Sequence, residues 1–330
     1  MVNRVLVTGI TGLIGRSVLE KLLLLNSDFQ ITALVRPNTK HNRFNKYLDK
    51  IKLEFIDLSD IEGIKQHLEK QKYDTIIHIG ALRGGRKFSK KQFYQTNVKS
   101  TEQIVENSLS NNIRLLFCSS VGVFGAIPDE MPANNETRYK EDNYYHYTKI
   151  VCEKIINKAM LKGLNAVILR PSITYGIGDY GFPFQLIKLV RNRMFPASNK
   201  NIWIHLCNID TIATAFVKLV STKTEISGVV YNVADLEPVQ LRDLVNYIYR
   251  IINNKNYPKF LTIDNGILHF GERLSRILKN ELWISRFELI SHSWFYQVHD
   301  TYSALDLPPH YTIPDIKPII NNYLNKAQEK

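Results

Sequence analysis

The chain has 330 residues, of which 44% are hydrophobic and 22% charged, and a formal net charge of +12. This composition is that of a globular protein large enough for one α/β domain with a smaller lobe. No apolar run approaches the roughly 20 residues that cross a membrane, and the first apolar strand begins at Val2, which leaves no room for a secretory signal. Three cysteines, Cys118, Cys152 and Cys207, lack metal-binding spacing, so we expect buried, reduced thiols in a cytoplasmic protein.

The positive charge indicates an acidic partner, either nucleic acid or a phosphorylated small molecule. Basic residues are scattered except for one cluster at 83–91, which holds five of them and no acid. A solvated loop explains that cluster equally well. A nucleic-acid footprint usually shows a larger basic stripe or a recognisable module. We therefore expect a small-molecule substrate, no membrane and no nucleic acid.

Short apolar runs alternate with amphipathic stretches along the first half of the chain. This alternation is typical of a doubly wound parallel sheet covered by helices on both faces. In chain order the pattern predicts strands at Val5–Val7, Ile31–Val35, Leu53–Ile56, Thr75–Ile79, Arg114–Cys118, Ala166–Leu169 and Val229–Val233, and helices at about 13–25, 60–71, 92–111, 144–162, 183–193, 209–221 and 240–253.

The pattern loosens after Arg170, and residues 254–330 show no clean period. We predict a nucleotide-binding domain over 1–175 and a smaller, interleaved C-terminal lobe over 176–330 that binds the substrate. Within that lobe, residues 206–233 would return to the sheet.

The most informative stretch is residues 4–15, where a β-branched run stops at Gly9 and glycines recur at Gly12 and Gly15 as a helix begins. One glycine suits the tight turn, one the close approach of a pyrophosphate, and one the packing of helix on strand. The N–H groups and dipole of that helix favour an anion. The pattern predicts a Rossmann-type dinucleotide site, although a glycine turn by itself is a weak signal.

Further polar or small residues stand where predicted strands end. Asp57 could bind an adenine amino group or serve as a helix cap. Gly80 and Ala81 would let a cofactor pass over the backbone, while His78 before them is expected to be a core histidine. Ser120 follows a strand as the second of two serines.

Tyr145 and Lys149 are four residues apart and therefore lie on one face of a predicted helix. A free tyrosine has a pKa of roughly 10, and a nearby ammonium lowers it. Tyr145 could then exchange a proton with a substrate oxygen while Ser120 hydrogen-bonds the same atom. A surface tyrosine–lysine pair is the alternative for these two residues taken alone.

In order and at plausible intervals, these motifs resemble the extended branch of the short-chain dehydrogenase/reductase superfamily, the NAD-dependent epimerase/dehydratase-like proteins. The resemblance is strong over about 3–235 and also covers Asn97-Val98, Arg170-Pro171 and Tyr175-Gly176. It implies that Ser120, Tyr145 and Lys149 are catalytic, that Lys149 binds the nicotinamide ribose, and that Asn97 lies near the nicotinamide or within a helix. The expected cofactor-binding residues are Gly9, Thr11, Gly12, Leu13, Ile14, Gly15, Arg36, Asp57, Leu58, Gly80, Ala81, Asn97, Lys149 and Pro171.

The second predicted strand ends at Arg36 with no carboxylate, so a bidentate contact to a 2′-phosphate favours NADP over NAD. Three functions stay open. The first is an oxidoreductase or epimerase of a nucleotide-activated sugar, and the second a reductase of an apolar ketone. The third is a non-catalytic cofactor- or RNA-binding protein. Dehydration is disfavoured because no acid neighbours Ser120. The family often forms homodimers through the helices predicted at 92–111 and 144–162.

Overall fold

The computed structural model describes residues 3–25, 29–39, 47–83, 88–221 and 226–328. Its strands are β1 Asn3–Thr8, β2 Phe29–Val35, β3 Ile51–Phe55, β4 Thr75–His78, β5 Arg114–Cys118, β6 Ala166–Pro171, β7 Thr174–Tyr175, β8 Ala197–Ser198, β9 Trp203–Ile204, β10 Cys207–Asn208, β11 Val229–Val233, β12 Val239–Gln240 and β13 Thr262–Ile263.

The helices include a π-helical segment, Tyr94–Lys99, and two 3₁₀ turns, Val121–Phe124 and Lys259–Leu261. The α-helices are α1 Leu13–Leu24, α2 Ile61–Lys70, α3 Lys90–Phe93, α4 Ser100–Ser110, α5 Tyr144–Met160, α6 Phe182–Arg191, α7 Ile209–Ser221, α8 Leu241–Asn253, α9 Asn265–Ile277, α10 Glu281–Ser291, α11 His299–Leu305, α12 Thr312–Asp315 and α13 Lys317–Gln328.

Seven strands form the central sheet in the order β11-β6-β5-β4-β1-β2-β3. The strand pairs from β3 to β6 are parallel. The central strands β1, β4, β5 and β6 are largely buried because helices cover them, whereas the edge strand β3 is partly exposed. Buried side chains of β1, β4 and β5 pack with those of α2, α4 and α5 in one hydrophobic cluster. The predicted α/β fold with a Rossmann-type doubly wound sheet is confirmed.

The contacts divide the chain into two compact units. The first comprises 1–125, 139–171 and 212–231 and holds the sheet; the second comprises 126–138, 172–211 and 232–330. The boundary at residue 175 stays a prediction. In the second unit the stretch without a clear period holds five short helices, and two of them start at polar caps: Asp264 accepts from the Gly266 N–H and Asn280 from the Trp283 N–H.

The helix predicted at about 92–111 begins earlier and is not regular. A capping box at Ser89 and Gln92 starts α3, and the π-helical segment separates α3 from α4. All three cysteines are free and buried, as the sequence predicts.

Candidate active site

The carboxyl ends of the parallel strands bring most of the predicted site residues to one edge of the sheet. The strand order reverses between β1 and β4, and ligands of such sheets bind at this point. Residues that follow these strand ends or close them are Gly9, Arg36, Asp57, Leu58, Gly80, Ala81, Ser120 and Pro171.

Two glycines of the turn after β1 are required by the fold itself. Gly9 has a φ of +82°, and a Cβ there would stand 2.6 Å from the Gly80 nitrogen. A Cβ on Gly15 would stand 2.2 Å from the Gly9 carbonyl oxygen. The backbone therefore closes on itself at both positions, and neither leaves space for a side chain.

Gly12 differs because an added Cβ there would make one tight contact and no clash. Its φ is −85°, and an added Cβ would meet its nearest atom, the Gly9 oxygen, at 3.3 Å. Gly12 is also the N-cap of α1, and no side chain caps that helix. A helix start without a side-chain cap can bind a phosphate group through its first N–H groups. The turn, including Thr11, Leu13 and Ile14, thus fits a dinucleotide pyrophosphate.

Thr8 and His78 fasten this turn to β4. The Thr8 Oγ1 accepts from the N–H groups of Ile79 at 3.1 Å and Gly80 at 3.0 Å and so donates to the His78 Nδ1 at 2.8 Å. The His78 Nε2 then donates to the Thr101 Oγ1 at 3.1 Å. Burial, reinforced by Lys149, lowers the pKa of His78 to about 3. His78 is a neutral core histidine, as the sequence predicts.

The residues after β2 and β3 have different surroundings. The Arg36 side chain is exposed directly after the end of β2. One carboxylate oxygen of Asp57 accepts from the Ser59 N–H at 2.8 Å and hydroxyl at 2.7 Å. The cap of α2 is Asp60 rather than Asp57, since Asp60 accepts from the Gly63 N–H. A Cβ on Gly80 would stand 2.5 Å from the Leu58 Cδ1, so Leu58 covers Gly80 closely.

Asn97 connects the segment after β4 with α5. Its side-chain oxygen accepts from the Leu82 N–H at 2.7 Å. Its amide nitrogen donates to the Leu82 carbonyl at 3.0 Å and to the Thr148 hydroxyl at 3.0 Å. Thr148 in turn donates to the Tyr145 carbonyl at 2.8 Å. Asn97 lies in the π-helical segment, a distortion that is often found at functional sites. Its hydrogen bonds hold the segment after β4 against α5.

The end of β5 and the start of α5 place the three candidate catalytic side chains together. Ser120 caps the following 3₁₀ turn and accepts from the Gly122 N–H at 3.0 Å, and its hydroxyl is near enough to Tyr145 to lower the pKa of that side chain. The buried Lys149 ammonium donates to the Cys118 carbonyl at 2.6 Å. A Cβ on Gly122 would stand 2.6 Å from the His146 ring, which explains the glycine.

The pKa of Tyr145 shifts in the opposite direction from the sequence-based expectation. Burial of the hydroxyl raises this pKa, and the opposing effects of Lys149 and of the Ser120 hydrogen bond are smaller. The expectation of a lowered pKa was wrong because it considered the ammonium and omitted desolvation. Without a cofactor, the Tyr145 hydroxyl is therefore protonated at neutral pH.

A buried polar network behind Ser120 was missed by the sequence analysis. Glu153 forms an ion pair with Arg170, whose Nη2 is 2.6 Å from the Glu153 Oε2. The Tyr139 hydroxyl donates to the same oxygen at 2.7 Å, and the Ser119 hydroxyl donates to Oε1. Glu153 comes four residues after Lys149, so its place on that helix face was the available signal.

The basic cluster at 83–91 is described in part, because Arg86 and Lys87 lie outside the described residues. Arg83, Lys90 and Lys91 are exposed. The Lys90 ammonium lies 5.5 Å from the centre of the Tyr144 ring.

Comparison with known proteins identifies the family of the chain. The model of the NAD dependent epimerase/dehydratase family matches residues 5–234. The chain belongs to this family. It is thus an enzyme of an NAD-dependent family whose members act on small molecules. In the described part of the chain, no helix is both long and apolar enough to cross a membrane.

The similar proteins include both uncharacterized proteins and epimerases. An uncharacterized protein of Saccharomyces cerevisiae, YLL056C, is 24% identical over 81% of this chain and 86% of its own. The ADP-L-glycero-D-manno-heptose-6-epimerase of Brachyspira hyodysenteriae is 28% identical, and the match spans about half of each protein, 47% of this chain and 48% of the relative. A putative epimerase from Burkholderia cenocepacia has the same fold, with a TM-score of 0.75 at 18% identity over 97% of this chain and 98% of that one.

Proposed function

We propose that the protein catalyses hydride transfer on a carbonyl or secondary alcohol, with a nicotinamide dinucleotide as cofactor and a nucleotide-activated sugar as substrate. The observation that carries this proposal is the convergence of Ser120, Tyr145 and Lys149 at the end of β5. A tyrosine and a serine hydroxyl beside a buried ammonium can hold one oxygen and move one proton.

The roles follow from these positions. The Tyr145 hydroxyl donates its proton to the substrate oxygen in reduction and takes it back in oxidation. Ser120 donates a hydrogen bond to that oxygen and orients it. Lys149 opposes the rise of the Tyr145 pKa, and its remaining N–H groups are suited to ribose hydroxyls. The bound nicotinamide supplies or accepts the hydride at the adjacent carbon.

Gly12 and the start of α1 would hold the pyrophosphate, and Arg36 favours NADP. The exposed guanidinium after β2 can form two hydrogen bonds with a 2′-phosphate. We expect Arg36→Ala to weaken NADP binding by about tenfold or more, since charge-assisted hydrogen bonds contribute about 1.5–3 kcal/mol, and to leave NAD binding nearly unchanged. Titration calorimetry with both cofactors measures this. Equal losses for the two would exclude a phosphate-reading role.

The substrate proposal is supported by the heptose epimerase relative, which matches about half of this chain. The predicted lobe of 176–330 would bind the sugar nucleotide. Reduction of an apolar ketone is the second candidate, motivated by aromatic residues near α6, where Tyr180 packs edge-on against Phe184 at 5.1 Å.

Epimerisation or reduction is favoured over dehydration. Glu153 is the acid next to the Ser119 hydroxyl, but Arg170 occupies both of its oxygens, at 2.9 Å and 2.6 Å. A carboxylate held in this way is not available as a general base. Dehydration would need such a base beside the reacting carbon.

The deciding experiment is calorimetric titration of the purified protein with NADP and NAD, followed by a panel of nucleotide sugars added to the cofactor complex. We expect cofactor binding and then binding of one nucleotide sugar. Cofactor binding without any sugar nucleotide would favour the apolar ketone. Salt-dependent RNA binding without cofactor binding would overturn the enzyme mechanism in favour of the RNA-binding alternative.

A further inference from the structure

Three side chains with metal-ligating atoms converge where α9 meets the end of α10. His269 and Glu272 are on α9, and His292 follows α10. The His269 Nδ1 is 3.7 Å from the Glu272 Oε2, and the His292 Nε2 is 3.0 Å from the same oxygen. All three ligand atoms lie within 4.8 Å of one another.

We propose that His269, Glu272 and His292 form a binding site for a divalent transition-metal ion, with Zn²⁺ as the best match. In tetrahedral zinc sites, bonds of about 2.0–2.1 Å place neighbouring ligand atoms roughly 3.3 Å apart, which is close to the 3.7 Å and 3.0 Å of the two histidine–glutamate pairs. Two imidazoles and one carboxylate are a donor set that Zn²⁺ accepts, with a fourth position left for water.

The surroundings of Glu272 prepare its carboxylate for this role. The Arg276 Nη2 lies 3.0 Å from the Oε1, which leaves the Oε2 facing the two imidazoles. Arg276 also pairs with Glu288. The two carboxylates and one guanidinium sum to one negative charge, so a dication would meet a compensating environment. Such outer contacts fix ligand orientation in known metal sites.

His269 has a partner on its other ring nitrogen. Its Nε2 is 2.8 Å from the Asn265 amide nitrogen and accepts a hydrogen bond from it. Coordination of a metal ion through Nδ1 requires a proton on Nε2, which would then be a donor. The Asn265 amide would therefore turn its oxygen toward His269. Ser198, whose hydroxyl is 2.8 Å from that oxygen now, can accept from the turned NH₂ group, and the 3.1 Å bond from Asn265 to the Ser291 carbonyl would be given up.

The bound ion would link α9 to the end of α10. The His269 and His292 side chains are 36% and 37% exposed, so the ion can enter from solvent and keep a water ligand. None of the three residues belongs to the proposed cofactor or catalytic set. The site is therefore independent of the proposed function.

Calorimetric titration of the tag-free, chelator-treated full-length protein with ZnCl₂ tests the site. We expect one saturable site in the wild-type protein. His269→Ala and His292→Ala should each weaken it more than about tenfold, since even outer-shell substitutions cost about 10–100-fold in metal affinity. The control is His299→Ala, because His299 is exposed and pairs with Glu237 outside the cluster; this variant should bind Zn²⁺ like the wild type.

Thermal unfolding gives a second measurement. Zn²⁺ should raise the Tm of the wild type and of His299→Ala, and it should not raise the Tm of Glu272→Gln. Because Glu272→Gln keeps the size of the side chain, it still tests the site if the alanine variants fold poorly. Binding of Co²⁺ should give the absorption of a tetrahedral site. Absence of saturable Zn²⁺ binding, or binding that all three cluster variants retain, would overturn the proposal.

Discussion

Glu153 and Arg170 form a two-point ion pair inside the first unit. The Arg170 Nε donates to the Glu153 Oε1 at 2.9 Å and the Nη2 to the Oε2 at 2.6 Å, and the side chains are only 0% and 2% exposed. The pair joins α5, which carries Tyr145 and Lys149, to the end of β6. It therefore fixes the catalytic helix against the sheet.

We expect Glu153→Gln to lower the free energy of unfolding by about 3–5 kcal/mol, because a buried guanidinium would lose its charged partner. Urea denaturation measures the change. The matched control is Glu102→Gln, which breaks the exposed pair with Lys99 and should cost about 0–1 kcal/mol. Similar losses in both variants would show that the buried pair contributes no more than a surface pair.

The sequence predicted the features that depend on local pattern. The strand at Arg114–Cys118 and the helix at 209–221 were given their observed bounds, because apolar periodicity is a property of neighbouring residues. The glycine turn was equally readable, since Gly9 and Gly15 are set by contacts within a short segment and with Gly80. A strand end and a helical spacing drew attention to Ser120, Tyr145 and Lys149, the family resemblance assigned them as catalytic, and that role stays a prediction.

Contacts between residues far apart in the sequence could not be predicted in this way. Asn97 and Thr148 are 51 residues apart and meet because α5 packs beside the π-helical segment. The pKa of Tyr145 was predicted in the wrong direction because burial depends on the complete fold. The helices after residue 254 were missed, although α9 is as long as α8. The polar caps Asp264 and Asn280 were the available signals.

Gly12→Ala should separate cofactor binding from folding. The new Cβ would stand 3.3 Å from the Gly9 carbonyl oxygen, which is a tight contact, and alanine is a poorer N-cap than glycine, so we expect stability to fall by about 0.5–1 kcal/mol. The methyl group would occupy the space proposed for the pyrophosphate, and we expect cofactor affinity to fall at least tenfold, by about 1.4 kcal/mol. Calorimetry and thermal unfolding measure the two effects. Unchanged affinity would mean that the cofactor does not approach Gly12.

Tyr145→Phe should lower kcat by about 10²–10⁴-fold, the usual contribution of a positioned acid or base. The phenyl ring keeps its packing, so cofactor affinity should stay close to that of the wild type. The measurement is steady-state turnover of the substrate identified by titration. Tyr144→Phe is the control on the neighbouring position of α5 and should retain activity. Near-normal turnover in Tyr145→Phe would refute the proposed proton transfer.

His78→Gln should reduce the amount by which the free energy of unfolding falls as the pH is lowered. Burial lowers the pKa of the folded-state His78 to about 3, whereas the unfolded chain takes up that proton near its ordinary pKa of about 6.5. This contribution to stability is complete above about pH 6.5 and is lost as the pH falls, by about 1.4 kcal/mol per pH unit. Urea denaturation at a series of pH values between about 7.5 and 4.5 measures the slope.

The control for this slope is Thr101→Val. It removes the acceptor of the His78 Nε2 hydrogen bond and keeps the imidazole, so we expect lower stability at every pH with the slope retained. His146 and His205, whose pKa values burial lowers to about 4, should contribute to the slope that remains in His78→Gln. If His78→Gln leaves the slope unchanged, His78 takes up its proton in the folded protein as readily as in the unfolded chain.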